Sequence, residues 1–102
     1  SGGLSSASQQ VGDLVIDDNG KTVVRAGKRL DLTKTEYDLL SVLVQHTGKV
    51  LSKTQLLTQV WGFDTYDANL VEVHMSALRK KLEAAGPRVI HTVRGAGYVV
   101  RA

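Results

Sequence analysis

The segment NLVEVHMSALRKKLEAAG, residues 69–86, decides the fold and raises the question of function. At 100° per residue, four of its apolar side chains fall on one side of a helix, which is the spacing of a stripe that packs against a core. These are Val71, Met75, Leu78 and Leu82. Val73 lies almost diametrically opposite, among short, polar or basic side chains. Its neighbours on that outer face are Asn69, Ser76, Ala77 and Lys80.

The chain after this helix predicts a β-hairpin. Gly86 and Pro87 end the helix, because proline cannot continue it. Two β-rich runs, residues 89–93 and 98–100, then flank the tetrapeptide RGAG at residues 94–97. Two glycines in four residues supply positive φ angles at low cost, so the pattern indicates a short hairpin with an arginine at its tip.

Two further helices are predicted before the quoted segment. TKTE at residues 33–36 is a capping box. The Thr33 hydroxyl can accept a hydrogen bond from the amide of residue 36, and the Glu36 carboxylate can accept one from the amide of Thr33. Apolar residues follow at steps of three and four, and Gly48 offers a helix end. SKTQ at residues 52–55 repeats the box and starts a shorter helix that ends at Gly62. A polar loop then leads to the third helix, with Asp67 as its N-cap.

The N-terminal part of the chain divides into a linker and a small sheet. Residues 1–10, SGGLSSASQQ, have the composition of a flexible linker or an expression remnant, and we assign them no structure. From residue 11, short β-rich runs are separated by turn sequences at 18–20 and 26–27, which predicts three antiparallel strands. The single domain is therefore expected to cover residues 11–102.

Composition excludes several classes of protein. A chain of 102 residues suits one domain, and its lack of cysteine removes disulfides and thiolate metal sites. The three histidines are scattered, so we expect neither a metal nor a cofactor. No apolar run is long enough for a membrane span and no signal peptide opens the chain, which favours a cytoplasmic protein.

The net charge of +3 is unevenly distributed. Residues 1–68 carry seven Lys or Arg against eight Asp or Glu, whereas residues 69–102 carry six against two. A basic end on a near-neutral body indicates a surface for a polyanion, although a solvated charged face produces the same small excess.

A sheet, three helices and a basic hairpin outline a winged helix-turn-helix, an α+β fold in which the third helix enters the major groove of DNA. On this interpretation Val73 contacts a thymine methyl and Asn69 pairs with adenine. Ser76 can form a hydrogen bond with the edges of several bases. The basic residues of the last turns would hold phosphates. These are Arg79, Lys80 and Lys81. The alternative for Val73 is an exposed valine without a role.

Three side chains outside the helix face have two interpretations each. Arg94 suits a narrow minor groove, whose negative potential attracts a guanidinium, or it is a solvated arginine in a plain turn. Trp61 is most simply a core residue, and its indole N–H could also donate to a phosphate. His74 lies nearer the buried side, which favours a packed imidazole over a base contact.

The motifs together resemble the C-terminal effector domain of the OmpR/PhoB family of bacterial response regulators. LTKTEYDLLSVLVQHTGKVLSKTQLLTQVWG, NLVEVHMSALRKKL and HTVRGAGYVV carry the resemblance, which runs from about residue 11 to the end. It implies a four-stranded N-terminal sheet, with a fourth strand near residues 50–51. It also implies a recognition helix at 68–83 and a wing at 89–101.

The resemblance also implies site residues. Base-facing roles fall on Asn69, Val73, Ser76 and Ala77, and phosphate or minor-groove roles on Thr92, Arg94, Gly95 and Tyr98. The loop between residues 62 and 68 matches a segment that touches RNA polymerase in some members. Its polar and aromatic residues are Phe63, Asp64, Thr65, Tyr66 and Asp67.

The partners implied are double-stranded DNA with direct repeats, bound as a tandem dimer by a domain that is monomeric when free. A sensor kinase would act only through a receiver domain that this chain does not include, so residues 1–10 become an interdomain linker. The rival from another class is a winged helix that docks on a protein. An enzyme is disfavoured, because no paired carboxylates, nucleophile–base pair or metal cluster has useful spacing.

Overall fold

The structure, a computed structural model, describes residues 8–17, 20–62 and 67–101. Among these residues four strands come first: β1 (Ser8–Val11), β2 (Leu14–Asp17), β3 (Thr22–Arg25) and β4 (Lys28–Leu30). Three helices follow: α1 (Lys34–Gln45), α2 (Lys53–Trp61) and α3 (Asn69–Ala84). The hairpin β5 (Ile90–Val93) and β6 (Gly97–Val100) comes last. The winged helix-turn-helix predicted from the sequence is confirmed.

The N-terminal sheet is antiparallel, with its strands in chain order. Ala26 and Gly27 connect β3 to β4 as a two-residue loop, with φ angles of 53° and 81°. Positive φ at both positions matches the right-handed twist of the strands on either side, so the predicted turn at 26–27 is confirmed. Residues 18 and 19 of the other predicted turn lie outside the described residues, while Asp17 and Thr22 pair across it.

The fourth strand of this sheet is not where the sequence placed it. β1 begins at Ser8 and the chain reverses at Gly12, whose φ is 58°, so residues 8–10 of the expected linker belong to the sheet. Residues 50–51 join no strand there, because Leu51 instead forms a bridge with Tyr98 of the hairpin. Val11 is the core residue of β1, and the other residues of the strand are polar. Because a polar composition is typical of a linker, the strand was not predicted from the sequence.

Both predicted capping boxes are present. The Thr33 hydroxyl accepts the Glu36 amide at 3.2 Å, and the Glu36 carboxylate accepts the Thr33 amide at 3.0 Å. Ser52 and Gln55 make the same pair of contacts at the start of α2, at 3.1 and 2.8 Å. Gly62, with a φ of 100°, ends α2 as predicted.

The recognition helix predicted from the quoted segment is α3, and its buried residues are the four of the expected stripe. Its N-cap position is Ala68, one residue later than the predicted Asp67, and the Ala68 side chain makes no capping hydrogen bond. The Asp67 carboxylate instead accepts the Asn69 amide at 3.0 Å. Asp67 therefore satisfies one of the amides that lack a partner within the helix.

The core lies where the sheet, the helices and the hairpin meet. Leu14, Ile16 and Val23 reach it from the sheet, and the buried stripe of α3 closes it from the opposite end of the chain. Further members come from α1 and the hairpin, among them Leu39, Leu40, Leu43, Ile90, Tyr98 and Val100. This packing fixes which side of α3 faces inward and leaves its other side to solvent.

Candidate nucleic-acid interface

The outer face of α3 consists of Asn69, Val73, Ser76, Ala77 and Lys80. Val73 is 65% exposed, and among the described residues only it and Val50 are exposed large hydrophobic side chains. Asn69, Ser76 and Lys80 are exposed as well, and Ala77 is half-buried. The structure thus brings together on one surface the four residues predicted to face bases. None of these five side chains is acidic.

The wing, residues 90–100, stands beside α3. Its three-residue tip, Arg94 to Ala96, is exposed, and Gly95 has a φ of 78°. Gly97 is required for a second reason, because a Cβ there would overlap the carbonyl oxygen of Leu51. Both glycines therefore have the positive φ angles that the sequence predicted, and they hold Arg94 at the end of the hairpin.

An open cleft of about 520 Å³ separates the wing from the start of α2 and the first turns of α3. Its floor includes Tyr98, which is buried and exchanges two backbone hydrogen bonds with Leu51, at 2.8 and 2.9 Å. The walls are Ser52 and Lys53 on one side and residues 92–97 on the other. Tyr98 was predicted to contact a phosphate or the minor groove, and in the structure its backbone attaches the base of the wing to Leu51.

Lys53 and Glu72 cross the mouth of this cleft as an ion pair that the sequence analysis missed. Lys53 Nζ lies 3.1 Å from Glu72 Oε2, and both side chains are about half exposed. Glu72 lies about 100° around α3 from Val73, on the flank toward the wing. The helical wheel places Glu72 on that flank, but nothing in the sequence indicates that Lys53, from another helix, faces it.

Arg79 and Thr92, both predicted to contact phosphates, lie in contact with each other. Arg79 Nη1 donates to the Thr92 hydroxyl at 2.5 Å, and Arg79 Nε lies 3.9 Å from Glu83. Glu83 also accepts a hydrogen bond from Arg88 at 3.0 Å. In the free domain Arg79 therefore joins the recognition helix to the wing, with part of its charge balanced by Glu83.

Lys81, predicted together with Lys80 to hold a phosphate, lies on the flank of α3 and is paired with a carboxylate. Its ammonium is 2.7 Å from the Glu36 carboxylate, which is itself buried in the capping box of α1. Burial raises the pKa of Glu36, but hydrogen bonds from Lys81 and Thr33 outweigh it, so the pKa lies below its ordinary 4.5. Lys81 thus ties α3 to α1.

Trp61 and His74 pack against each other. Their ring centroids are 5.4 Å apart, with the planes tilted by 57°, and His74 Nδ1 lies 2.8 Å from the Leu70 carbonyl oxygen. His74 is half-buried, which confirms the packed imidazole. Trp61 is partly buried against the core, in agreement with its simpler interpretation. A phosphate contact by its indole stays a prediction.

Two cations of this surface have no acidic partner. Within residues 8–17, 20–62 and 67–101, neither Lys80 nor Arg94 forms an ion pair, whereas Arg79 and Lys53 do. Of the predicted polymerase-contact loop, residues 63–66 lie outside the described residues, and Asp67 is exposed at the start of α3.

The described part of the chain has neither a metal-binding cluster nor a membrane-spanning helix. It contains no group of three or more His, Cys, Asp or Glu that could hold a metal ion. The helices in that part are too short or too polar to cross a bilayer.

A three-helix core that exposes one face of its last helix beside a basic hairpin defines the winged helix-turn-helix class. Residues 27–100 match the family described as transcriptional regulatory protein, C terminal. The transcriptional regulatory protein PrrA of Mycobacterium tuberculosis is 50% identical over 99 residues, which cover 95% of this chain and 42% of PrrA. Response regulator MprA of Mycobacterium ulcerans is 44% identical over 98 residues, covering 94% and 42%.

Solved structures agree with this assignment. The DNA-binding domain of RstA from Klebsiella pneumoniae, in complex with the RstA box, superposes with a TM-score of 0.82 at 35% identity, covering 92% of this chain and 96% of that one. DrrB, a Thermotoga maritima OmpR/PhoB homolog, gives 0.82 at 34%, covering 94% and 45%.

The chain belongs to the family of C-terminal domains of transcriptional regulatory proteins, of the OmpR/PhoB type found in response regulators. Domains of this family regulate transcription by binding DNA and are not enzymes. The chain spans about 42% of the length of the curated relatives named above.

Proposed function

We propose that this domain binds double-stranded DNA sequence-specifically, with α3 in the major groove and Arg94 in the adjacent minor groove. The observation that carries the proposal is the outer face of α3, where a 65% exposed valine stands among small and polar side chains. Beside it are two cations that pair with no acidic side chain among the described residues. An apolar side chain on that face loses its contact with water when it meets a thymine methyl.

Base readout falls to the outer face of α3. Val73 suits the methyl of thymine, and the Asn69 amide can both donate to and accept from adenine. Ser76 donates or accepts, so it tolerates several base edges. Ala77 is small enough to let the helix lie close to the bases, which favours contact by its neighbours.

Contacts to the DNA backbone fall to the rim of the same surface. Lys80 and Arg94 are available at once, since neither is paired with an acidic side chain in the part of the chain that the structure describes. Arg79 and Thr92 lie between helix and wing, where they can share a phosphate. Gly95 lets the backbone of the wing tip approach the sugar–phosphate chain. The Tyr98 hydroxyl and the Trp61 indole N–H are further hydrogen-bond donors. Lys81 would have to leave the Glu36 carboxylate to reach a phosphate.

The rest of the regulator supplies the context of this activity. The RstA domain was solved with its DNA box and the AdeR domain with an intercistronic region, which supports DNA as the ligand here. As the effector part of a response regulator in the bacterial cytoplasm, the domain would bind at the nucleoid. A sensor kinase would act on a receiver outside this chain, and RNA polymerase would contact the 62–68 loop.

Salt dependence distinguishes this function from docking on a protein. Binding to a selected duplex should weaken steeply with salt, because each neutralised phosphate releases counterions. Arg94→Ala should weaken binding to most sequences and reduce the slope of log affinity against log salt by about one unit. Arg29→Ala, a matched exposed arginine on β4, should change neither. A slope that is flat in the wild type would favour the protein-docking alternative.

A tandem arrangement is the second part of the proposal. One recognition helix covers only a few base pairs, so two domains on direct repeats about one helical turn apart are needed for strong discrimination. Footprinting on duplexes with one and two half-sites should show tighter, cooperative binding to the pair. Equal affinity per half-site in both duplexes would remove the tandem dimer.

A further inference from the structure

Arg25 is a buried arginine that connects the N-terminal sheet to the far end of the recognition helix. It is the last residue of β3 and only 1% exposed. Its Nε donates to the Asp13 carboxylate at 3.1 Å, and Nη1 donates to the carbonyl oxygen of Leu82 at 2.7 Å. Its Nη2 donates to the carbonyl oxygen of Pro87.

The two carbonyl acceptors lie on either side of the junction between α3 and the wing. Leu82 belongs to the last turn of α3, and Pro87 leads into β5. Carbonyl groups at a helix C-terminus lack partners within the helix and carry partial negative charge, so they are favourable partners for a guanidinium. A buried guanidinium requires such partners, because an unpaired buried charge is very costly.

Gly86 indicates independently that the junction is shaped around this side chain. A Cβ built on Gly86 would lie 2.9 Å from Arg25 Nε and 3.0 Å from Cζ. Real Cβ atoms essentially never approach another atom so closely, and the guanidinium is held in place by three partners. The absence of a side chain at position 86 is therefore what lets the guanidinium lie against the backbone.

We infer that Arg25 is a positioning residue for DNA reading, which sets the angle between the recognition helix and the wing. α3 ends and the wing begins within residues 82–90, and Arg25 fixes that segment against the sheet at two points, Leu82 and Pro87. The Arg79–Thr92 contact holds the same two elements together nearer the wing tip. The effect on DNA rests on the proposed function. The attachment of Leu82 and Pro87 to the sheet through Arg25, hereafter the clamp, can be tested without DNA.

A double-mutant cycle tests the clamp. Gly86→Ala in the wild-type background should lower the midpoint of chemical denaturation, because the new methyl displaces the guanidinium from its acceptors. In an Arg25→Met background the same change should leave the midpoint unchanged or raise it, since the clash is gone and alanine restricts the unfolded chain. Equal shifts in both backgrounds would overturn the clamp. Arg25→Lys, which keeps the charge, replaces Arg25→Met if the latter does not fold.

The positioning role is tested by the ratio of affinities for a duplex selected in vitro by this domain and a scrambled duplex of the same composition. At a temperature where every variant is folded, Arg25→Met should lower the ratio about tenfold, as one misplaced base contact does, with scrambled-duplex affinity nearly unchanged. Arg25→Lys should recover part of the loss, and Arg29→Met should have no effect. A folded Arg25→Met with an unaltered ratio would reduce Arg25 to a stabilising residue.

The two experiments keep failure of this inference separate from failure of the proposed function. If the wild-type domain binds neither duplex, the proposed function and the positioning role fail together, while the denaturation cycle still decides whether the clamp exists. If the wild type discriminates between the duplexes and the Arg25 variants discriminate equally well, only the positioning role fails.

Discussion

Arg25 and Arg94 lie on opposite sides of α3 and the wing, residues 69–100, which together form the α3–wing unit. The two arginines differ in exposure and in hydrogen-bond partners. Arg25, on the inner side, is 1% exposed and donates to a carboxylate and two backbone carbonyls. Arg94, on the outer side, is exposed at the hairpin tip and forms no ion pair with any residue that the structure describes. A charge whose partners are already in place stabilises the fold, whereas a charge without them is available to a ligand.

The same division runs along α3. Its inner residues, Leu78 among them, are fully buried, and Lys81 is paired with Glu36. Its outer face presents Val73 and Lys80 to solvent. Changes on the inner side should therefore alter the free energy of unfolding, and changes on the outer side should alter DNA binding alone. Each prediction below tests this separation.

Gly97→Ala should have the largest effect, on stability. Position 97 has a φ of 143°, which favours glycine, and the new Cβ would overlap the backbone carbonyl of Leu51. We expect a loss of about 4 kcal/mol in the free energy of unfolding, measured by urea denaturation. Gly95→Ala is the matched control, because nothing lies within 4 Å of its Cβ and only the φ of 78° is unfavourable. Equal losses at both positions would contradict the bridge between Leu51 and the wing.

Glu36→Gln should have an intermediate effect, also on the inner side. The pKa of Glu36 is lowered in the folded state, so the stability that its ionised form contributes is present above pH 4.5 and is lost as the pH falls through the folded value. At pH 7 the variant should lose about 1.5 kcal/mol, since a charge-assisted hydrogen bond from Lys81 is weakened. Unfolding curves between pH 7 and pH 3 should converge for the two proteins.

Val73→Ala should have the smallest effect, confined to DNA binding. The variant should relax preference at one thymine position by about 1 kcal/mol, measured against duplexes with each base at that position. Its free energy of unfolding should change by less than about 0.5 kcal/mol, because the side chain is on the surface. Leu78→Ala, five residues along α3 on the inner side, should instead cost about 3 kcal/mol of stability. A Val73 variant with a clearly lower free energy of unfolding would contradict the separate roles of the inner and outer sides of α3.

Local patterns were enough to predict most of the fold. The capping boxes, the turns at 26–27 and 94–97 and the stripe of α3 depend on residues within four positions of each other, and these appear as expected. β1 was missed because SQQV lacks an apolar alternation, and its turn at Gly12 and Asp13 is short. The strand expected near residues 50–51 depends on pairing, which periodicity does not reveal.

The residues of the site could be predicted from the sequence, but the ion pairs and hydrogen bonds between them could not. The outer face of α3 follows from the helical period, whereas the Lys53–Glu72 and Lys81–Glu36 pairs join residues from different helices. Arg25 lies two residues after Val23 on β3 and therefore shares its inward face, so its direction could be inferred from the strand. Its backbone acceptors lie 57 and 62 residues away, and only the packed fold brings them together.

The most direct test of the central claim is a titration of the labelled domain with its selected duplex, followed through backbone amide shifts. If the outer side of the α3–wing unit lies on DNA, amides at 69–80 and 92–98 should move most, and those of β1 to β4 should stay in place. Shifts concentrated on the N-terminal sheet or α1, with 69–80 and 92–98 unmoved, would contradict the account.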